Sequence, residues 1–156
     1  KIQIIAKDFI KANSVIFLGR GLSFPIALEG ALKLKELSYL HAEGYPAGEM
    51  KHGPLALIEE GLPVIILAPM DRYFEKTISN MQEVIARGGK VILLSNKNNN
   101  IINENVRFTL EITKIDDCLM PFLITIPLQL LAYHVASLKN CNIDKPRNLA
   151  KSVTVE

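Results

Sequence analysis

Three charged residues in one segment, Glu29, Lys33 and Glu36, have types and spacing that suit proton transfer. In a helix that turns about 100° per residue, these positions fall within roughly 60° of one another on one face. A carboxylate beside an ammonium can act as a base in an active site. The same spacing also fits a structural ion pair, because Glu and Lys four residues apart stabilise a helix. The pattern leaves both interpretations open.

The segment that carries these charges, residues 26–40, is predicted to be a helix. It contains no proline and one glycine, and Ala, Leu, Lys and Glu dominate it, all of which favour helices. Leu28, Ala31 and Leu34 make most of the remaining circumference apolar. We therefore expect a buried helix whose charges are paired or line a cleft.

Length and composition indicate one globular domain with a sizeable core. The chain has 156 residues, 49% apolar and 22% charged, with a formal net charge of +2. The 18 basic and 16 acidic residues are interleaved, which argues against nucleic-acid binding. Because the chain begins at Lys1 and shows no secretory signal core, we expect a cytoplasmic protein that is part of a longer one.

One uncharged segment, residues 118–138, is long enough to cross a membrane. Pro121, Pro127, Gln129 and His134 interrupt it. These residues favour a buried helix in the core or at a subunit interface, and we expect no membrane partner.

Apolar runs alternate with helical patterns along the chain. We predict buried strands at residues 14–19, 63–68, 90–95 and 106–111, and helices at 1–12, 26–40, 73–87 and 119–139. Residues 41–48 look loop-like with a short extended piece. This alternation predicts an α/β fold with a parallel sheet covered on both faces, in three layers. Sites in such folds lie at the carboxyl ends of the strands.

The turn after the first predicted strand, Gly19-Arg20-Gly21, is a weak candidate for an anion site at a helix N-terminus. Phe24 stands where a dinucleotide fingerprint would have its last glycine, so that motif is not met.

Other polar residues carry weaker signals. Cys118 and Cys141 lack metal-ligand spacing, so we expect free thiols and no metal. His41 is interpreted as a cap for the preceding helix, and Glu43 and Glu49 as loop charges. The tail, residues 140–156, has neither helical nor strand period, which is typical of a frayed terminus.

Four segments together resemble the glutamine–fructose-6-phosphate aminotransferase (isomerizing) family, also called glucosamine-6-phosphate synthase: residues 27–36, 41–43, 48–54 and 146–156. The resemblance covers the whole chain, as the second sugar isomerase (SIS) subdomain of that enzyme. It implies a parallel five-stranded sheet, with an SIS domain over residues 1–139 and a catalytic tail over 140–156. The glutaminase domain and the first SIS domain, which supplies most sugar-phosphate contacts, are expected to be absent from this chain.

The resemblance also implies a reaction and residue roles. The family moves ammonia from glutamine onto fructose 6-phosphate and isomerises the product to glucosamine 6-phosphate, without a cofactor. Lys151 resembles the lysine that forms an imine with C2 of the sugar. Glu36 resembles the base that shuttles a proton between C1 and C2, and Lys33 the neighbour that steadies the enolate oxygen.

Three further roles follow from the same resemblance. His52 resembles the histidine that opens the sugar ring, reaching across a homodimer interface into the partner's site. Glu29 is expected to support the arrangement of charges on the helix. Ala150 is expected to contact the sugar through its backbone.

Two rival functions remain open. A sugar-phosphate isomerase would use a similar proton shuttle, but its enediol chemistry needs no imine and leaves Lys151 unexplained. A non-enzymatic SIS module that senses sugar phosphates would leave Glu36, Lys33 and His52 idle.

Overall fold

A five-stranded, all-parallel sheet forms the centre of the computed structural model, which describes residues 1–96 and 105–149. The strand order is β2-β1-β3-β4-β5. The strands are β1 (Ser14–Gly19), β2 (His41–Pro46), β3 (Pro63–Ala68), β4 (Lys90–Asn96) and β5 (Val106–Ile112). The predicted α/β class with a parallel sheet is confirmed.

Helices cover both faces of the sheet, as the continuous apolar strands require. The helices are α1 (Ile2–Ala6), α2 (Ser23–Ser38), α3 (Phe74–Ile85) and α4 (Met120–Leu138). Short 3₁₀ turns lie at Lys7–Phe9, Ala47–His52 and Pro54–Leu57. Helices α1, α2 and α4 share one core layer with strand residues such as Phe17 and Ile65. Helix α3 packs on the opposite layer with Ile16 and Ile66.

The fifth strand corrects the expectation of a loop at residues 41–48. Strand β2 pairs in parallel with β1, from His41 opposite Ser14 to Pro46 opposite Gly19. It lies at the edge of the sheet, where one face and one edge remain accessible, so polar residues are tolerated. The apolar run that reveals a central strand is therefore missing here.

Helix α2 is less buried than its apolar sequence predicts. Ala27, Ala31 and Leu34 lie in the core, but Leu28 and Leu32 are 44% and 40% exposed. Gly30 lets α2 approach its neighbours closely, since a Cβ there would lie 2.8 Å from a methyl group of Leu128 on α4. The helix thus has one face in the core and another on the surface.

Helix α4 is likewise buried on one side only. Among the described residues it is the one helix long and apolar enough to cross a membrane, judged by length and composition. Ile124, Leu128 and Val135 lie in the core, whereas Phe122 is 70% exposed and Ile126 53% exposed. The predicted core helix is therefore confirmed for one side of α4.

Candidate active site

The three charged side chains of α2 lie together on one face. The Nζ atom of Lys33 donates a hydrogen bond of 2.6 Å to Oε2 of Glu36 and lies 3.8 Å from Oε1 of Glu29. The Lys33 and Glu36 side chains are 30% and 27% exposed. One partly buried ammonium therefore stands between two carboxylates, at the spacing that a helix imposes.

The charge state of this cluster follows from its hydrogen bond. The bond to Glu36 raises the pKa of Lys33 more than burial lowers it, and Coulombic attraction to Glu36 and Glu29 adds to the increase. Lys33 therefore remains an ammonium at neutral pH. The second carboxylate oxygen of Glu36, Oε1, makes no hydrogen bond within the described residues, so it can still accept one.

The raised pKa of Lys33 predicts how its contribution to stability depends on pH. Because the folded state binds this proton more tightly, the contribution is complete below the unfolded-state pKa of 10.5 and disappears as the pH rises through the higher folded-state value. We expect Lys33→Met to lower the free energy of unfolding by about 0.5 kcal/mol at pH 7. The difference from wild type should shrink above pH 10.5, as measured by urea unfolding across pH.

Lys35→Met is the matched control, because Lys35 is an exposed lysine of the same helix that makes no ion pair within the described residues. It should change stability little and equally at each pH. A Lys33→Met difference that stays constant from pH 8 to well above the normal lysine pKa would contradict the assigned ion pair.

His52 lies apart from the α2 cluster. It ends the 3₁₀ turn Ala47–His52, its side chain is 72% exposed, and its Nδ1 lies 2.7 Å from Oε2 of Glu49. In the described part of the chain, no hydrogen bond or ion pair connects His52 with Lys33 or Glu36. A single chain therefore presents the histidine and the lysine–glutamate pair separately.

Glu49, interpreted from the sequence as a loop charge, pairs with His52. Its carboxylate lies within hydrogen-bond distance of the His52 ring and orients it. The spacing of the two residues could have predicted this pair, because Glu-x-x-His places both side chains on one face of a helical turn.

His41 does not cap α2, contrary to expectation. Tyr39 occupies the C-cap position, and His41 begins β2. On β2, His41, Glu43 and Tyr45 alternate along one face, with the Tyr45 hydroxyl donating to Oε2 of Glu43 and Nε2 of His41 3.5 Å from Oε1. The Glu43 carboxylate raises the pKa of Tyr45.

The glycines of the Gly19-Arg20-Gly21 turn have steric reasons to be there. A Cβ on Gly19 would overlap the carbonyl group of Ser23, so glycine allows α2 to start close to the end of β1. Gly21 has a φ of +53°, and a Cβ there would lie 2.5 Å from the Tyr73 ring. Neither glycine requires a bound anion to explain it.

A cavity of about 390 Å³ opens beside this turn, at the carboxyl ends of β1 and β3. Its charged lining residues are Arg72, Asp71 and Asp117. Two acidic groups and one basic group in the lining do not favour the binding of an anion. The cavity therefore gives no support to the anion site suggested by the Gly19-Arg20-Gly21 turn.

The remaining predicted site residues, Ala150 and Lys151, lie outside the described residues. The last described residues before them, 140–149, return to the end of α2. There the backbone N–H of Arg147 donates to the Tyr39 hydroxyl at 2.9 Å.

Comparison with known proteins agrees with this architecture. The family model described as SIS domain matches residues 8–139. Two proteins named glutamine–fructose-6-phosphate aminotransferase [isomerizing] match the whole chain. The one from Rhizobium meliloti (strain 1021) is 54% identical over 157 residues, and the one from Bartonella quintana (strain Toulouse) is 55% identical. The chain spans about a quarter, 26%, of the length of each relative.

A solved structure is similar over nearly the same extent. It is described as the C-terminal domain of glucosamine-fructose-6-phosphate aminotransferase from Francisella tularensis. It is 50% identical, with a TM-score of 0.87, and the match covers 92% of this chain and 41% of that one. The resemblance read from the sequence is thereby confirmed.

Proposed function

The chain belongs to the SIS domain family, and we propose that it supplies the sugar-isomerising site of a glutamine–fructose-6-phosphate aminotransferase. The proposed substrate is fructose 6-phosphate and the product is glucosamine 6-phosphate, formed in the cytoplasm. The observation that carries the proposal is the 2.6 Å hydrogen bond between Lys33 and Glu36. It lies in a segment shared with relatives more than half identical to this chain.

The proposed chemistry begins at Lys151. Its neutral amine condenses with the C2 carbonyl of the open sugar and releases water, and ammonia then displaces the lysine to leave an imine on C2. Glu36 removes a proton from C1 of the protonated imine, giving a neutral enolamine. The proton returns from Glu36 to C2 while the C1 hydroxyl releases its own proton to solvent and becomes an aldehyde, which completes the isomerisation.

Lys33 supports this proton shift through its charge. Its raised pKa keeps it an ammonium at neutral pH. The ammonium stabilises negative charge that develops on the C1 oxygen. Glu29, 3.8 Å from Lys33, holds the ammonium from the other side.

The proposed organisation assigns residues 1–139 to the SIS domain and residues 140–156 to a catalytic tail. The SIS family match over residues 8–139 supports this division. Lys151 and Ala150 contribute from the tail, the latter through its backbone. The release of ammonia from glutamine is assigned to a separate part of the whole enzyme.

The proposed assembly is a homodimer in which His52 opens the sugar ring in the partner's site. Two observations support a role across an interface: His52 is 72% exposed, and within the described residues no hydrogen bond or ion pair joins it to Lys33 or Glu36. A twofold dimer would bring two such complementary surfaces together.

Mixing two inactive variants tests the proposed function and the shared site together. The protein to use is a chimera in which this chain replaces the matching segment of the Bartonella quintana relative. Glu36→Gln and His52→Asn chimeras should each fail to form glucosamine 6-phosphate. After subunit exchange at equal concentrations, mixed dimers contain one intact site, so about one quarter of wild-type activity should return.

The control is a mixture of Glu36→Gln with Glu36→Gln, His52→Asn, which contains no intact site in any dimer. Failure of the complementing mixture to recover activity, although subunits exchange, would reject the role of His52 across the interface. A wild-type chimera that binds fructose 6-phosphate without forming product would instead favour a sensor.

A further inference from the structure

Tyr39 occupies a backbone conformation that tyrosine rarely adopts. As the C-cap of α2 it has φ 60° and ψ 17°, in the left-handed region. Helices commonly end in this conformation with glycine, which has no Cβ to strain, or with asparagine. Unfavourable backbone conformations persist where other contacts hold the residue, frequently at functional sites. The Tyr39 side chain therefore needs an explanation beyond the ending of α2.

Two contacts with the tail supply that explanation. The backbone N–H of Arg147 donates a hydrogen bond of 2.9 Å to the Tyr39 hydroxyl. The Arg147 guanidinium lies over the Tyr39 ring, 4.1 Å from its centroid, in a cation–π arrangement. The positive charge also stands at the C-terminal end of a helix, where the helix dipole favours it.

A neighbouring contact places the tail on the same end of α2. The Sγ atom of Cys141 lies 4.0 Å from the carbonyl oxygen of Ser38, the last residue of α2. Ser38 is itself buried. The tail therefore meets two consecutive residues at the end of the helix that carries Lys33 and Glu36.

We propose that Tyr39 and Arg147 are positioning residues that fasten the tail to α2 and bring Lys151 within reach of the Glu36 site. The inference rests on the proposed function, since it gives Lys151 its role. Tyr39 follows Glu36 by three residues, about 4.5 Å along a helix axis. Lys151 follows Arg147 by four residues, so about 14 Å of extended chain is the longest possible tether. A tether this short raises the local concentration of the lysine at the site.

Trypsin cleavage after Arg147 measures the fastening directly, and it does not depend on sugar chemistry. The protease can take the Arg147 side chain only after it leaves the Tyr39 ring. Tyr39→Gly removes the ring but suits the left-handed cap, so the fold should keep its thermal midpoint. We expect cleavage of the bond between Arg147 and Asn148 to accelerate about fivefold or more in this variant.

Sugar capture measures the positioning. Each variant is made in the chimera with the Bartonella quintana relative and mixed with fructose 6-phosphate and borohydride. The rate of adduct formation on Lys151 is followed by mass spectrometry. Methylation of Lys151 by formaldehyde and borohydride is the reference, because it needs no site. We expect Tyr39→Gly to lower sugar capture about tenfold with methylation unchanged. Tyr39→Phe keeps the ring but loses the acceptor oxygen, so its rate of sugar capture should lie between those of wild type and Tyr39→Gly.

Tyr133→Phe is the matched control, since Tyr133 is a 48% exposed tyrosine of α4. It should match wild type in both assays. Cleavage and capture unchanged in Tyr39→Gly would overturn the inference, and faster cleavage with unchanged capture would overturn the positioning role. A wild-type chimera without any Lys151 adduct would instead count against the proposed function, whatever the cleavage rates show.

Discussion

Exchange of the C1 proton of fructose 6-phosphate for solvent deuterium is expected to fall about 10³-fold in the Glu36→Gln variant. Glutamine has the same shape and can still accept the hydrogen bond that Lys33 donates at 2.6 Å. It cannot take a proton and return it. The loss should therefore appear in the exchange rate, with sugar binding nearly unchanged. The measurement is proton NMR in D₂O on the chimera described above.

Glu29→Gln is the matched control for this prediction. Glu29 lies on the same face of α2, 3.8 Å from Lys33 and 39% exposed, but the 2.6 Å hydrogen bond of the ammonium goes to Glu36. We expect it to reduce exchange less than about tenfold. Exchange in Glu36→Gln that stays within tenfold of wild type would remove Glu36 from the role of base.

The elements that periodicity reveals were predictable from the sequence. Strand β3 is buried along its whole length, so its apolar run at residues 63–68 needed no tertiary information. Helix α3, Phe74–Ile85, has one apolar face and fell within the predicted residues 73–87. In both elements, the buried sides require apolar residues at regular positions, and this periodicity is visible in the sequence.

Strand β2 and the accessible faces of the helices were not predictable in the same way. The polar residues of β2 are allowed by its place at the sheet edge, which depends on strand order. Leu28 and Leu32 of α2 are apolar yet exposed, because sequence pattern does not say how many sides of a helix are covered. The exposure of β2 and of these helix faces depends on the order of the strands and on the packing of the helices, which periodicity does not reveal.

The candidate site likewise has one part that the sequence could predict and one part that it could not. The Lys33–Glu36 pair could be found from spacing, because both residues belong to one helix and the helix fixes their distance. The Tyr39–Arg147 contact could not, since it joins residues 108 positions apart. Its only local sign is a bulky residue at a helix end, and the backbone conformation there becomes visible only in the structure.

Borohydride trapping on Lys151 tests the central claim most directly, and its expected effect is all or none. Fructose 6-phosphate and borohydride should leave one reduced sugar adduct on Lys151 of the chimera, because only an imine is reduced. Lys151→Arg keeps a positive charge but cannot form the imine, so the adduct should disappear together with glucosamine 6-phosphate formation.

The same trapping on this chain alone shows whether it captures the sugar unaided. An adduct confined to the chimera would place the sugar-phosphate contacts in the remainder of the enzyme and leave the chemistry intact. The predicted result is an adduct on Lys151 that Lys151→Arg abolishes. A chimera that forms glucosamine 6-phosphate but carries no adduct on Lys151 would contradict the account.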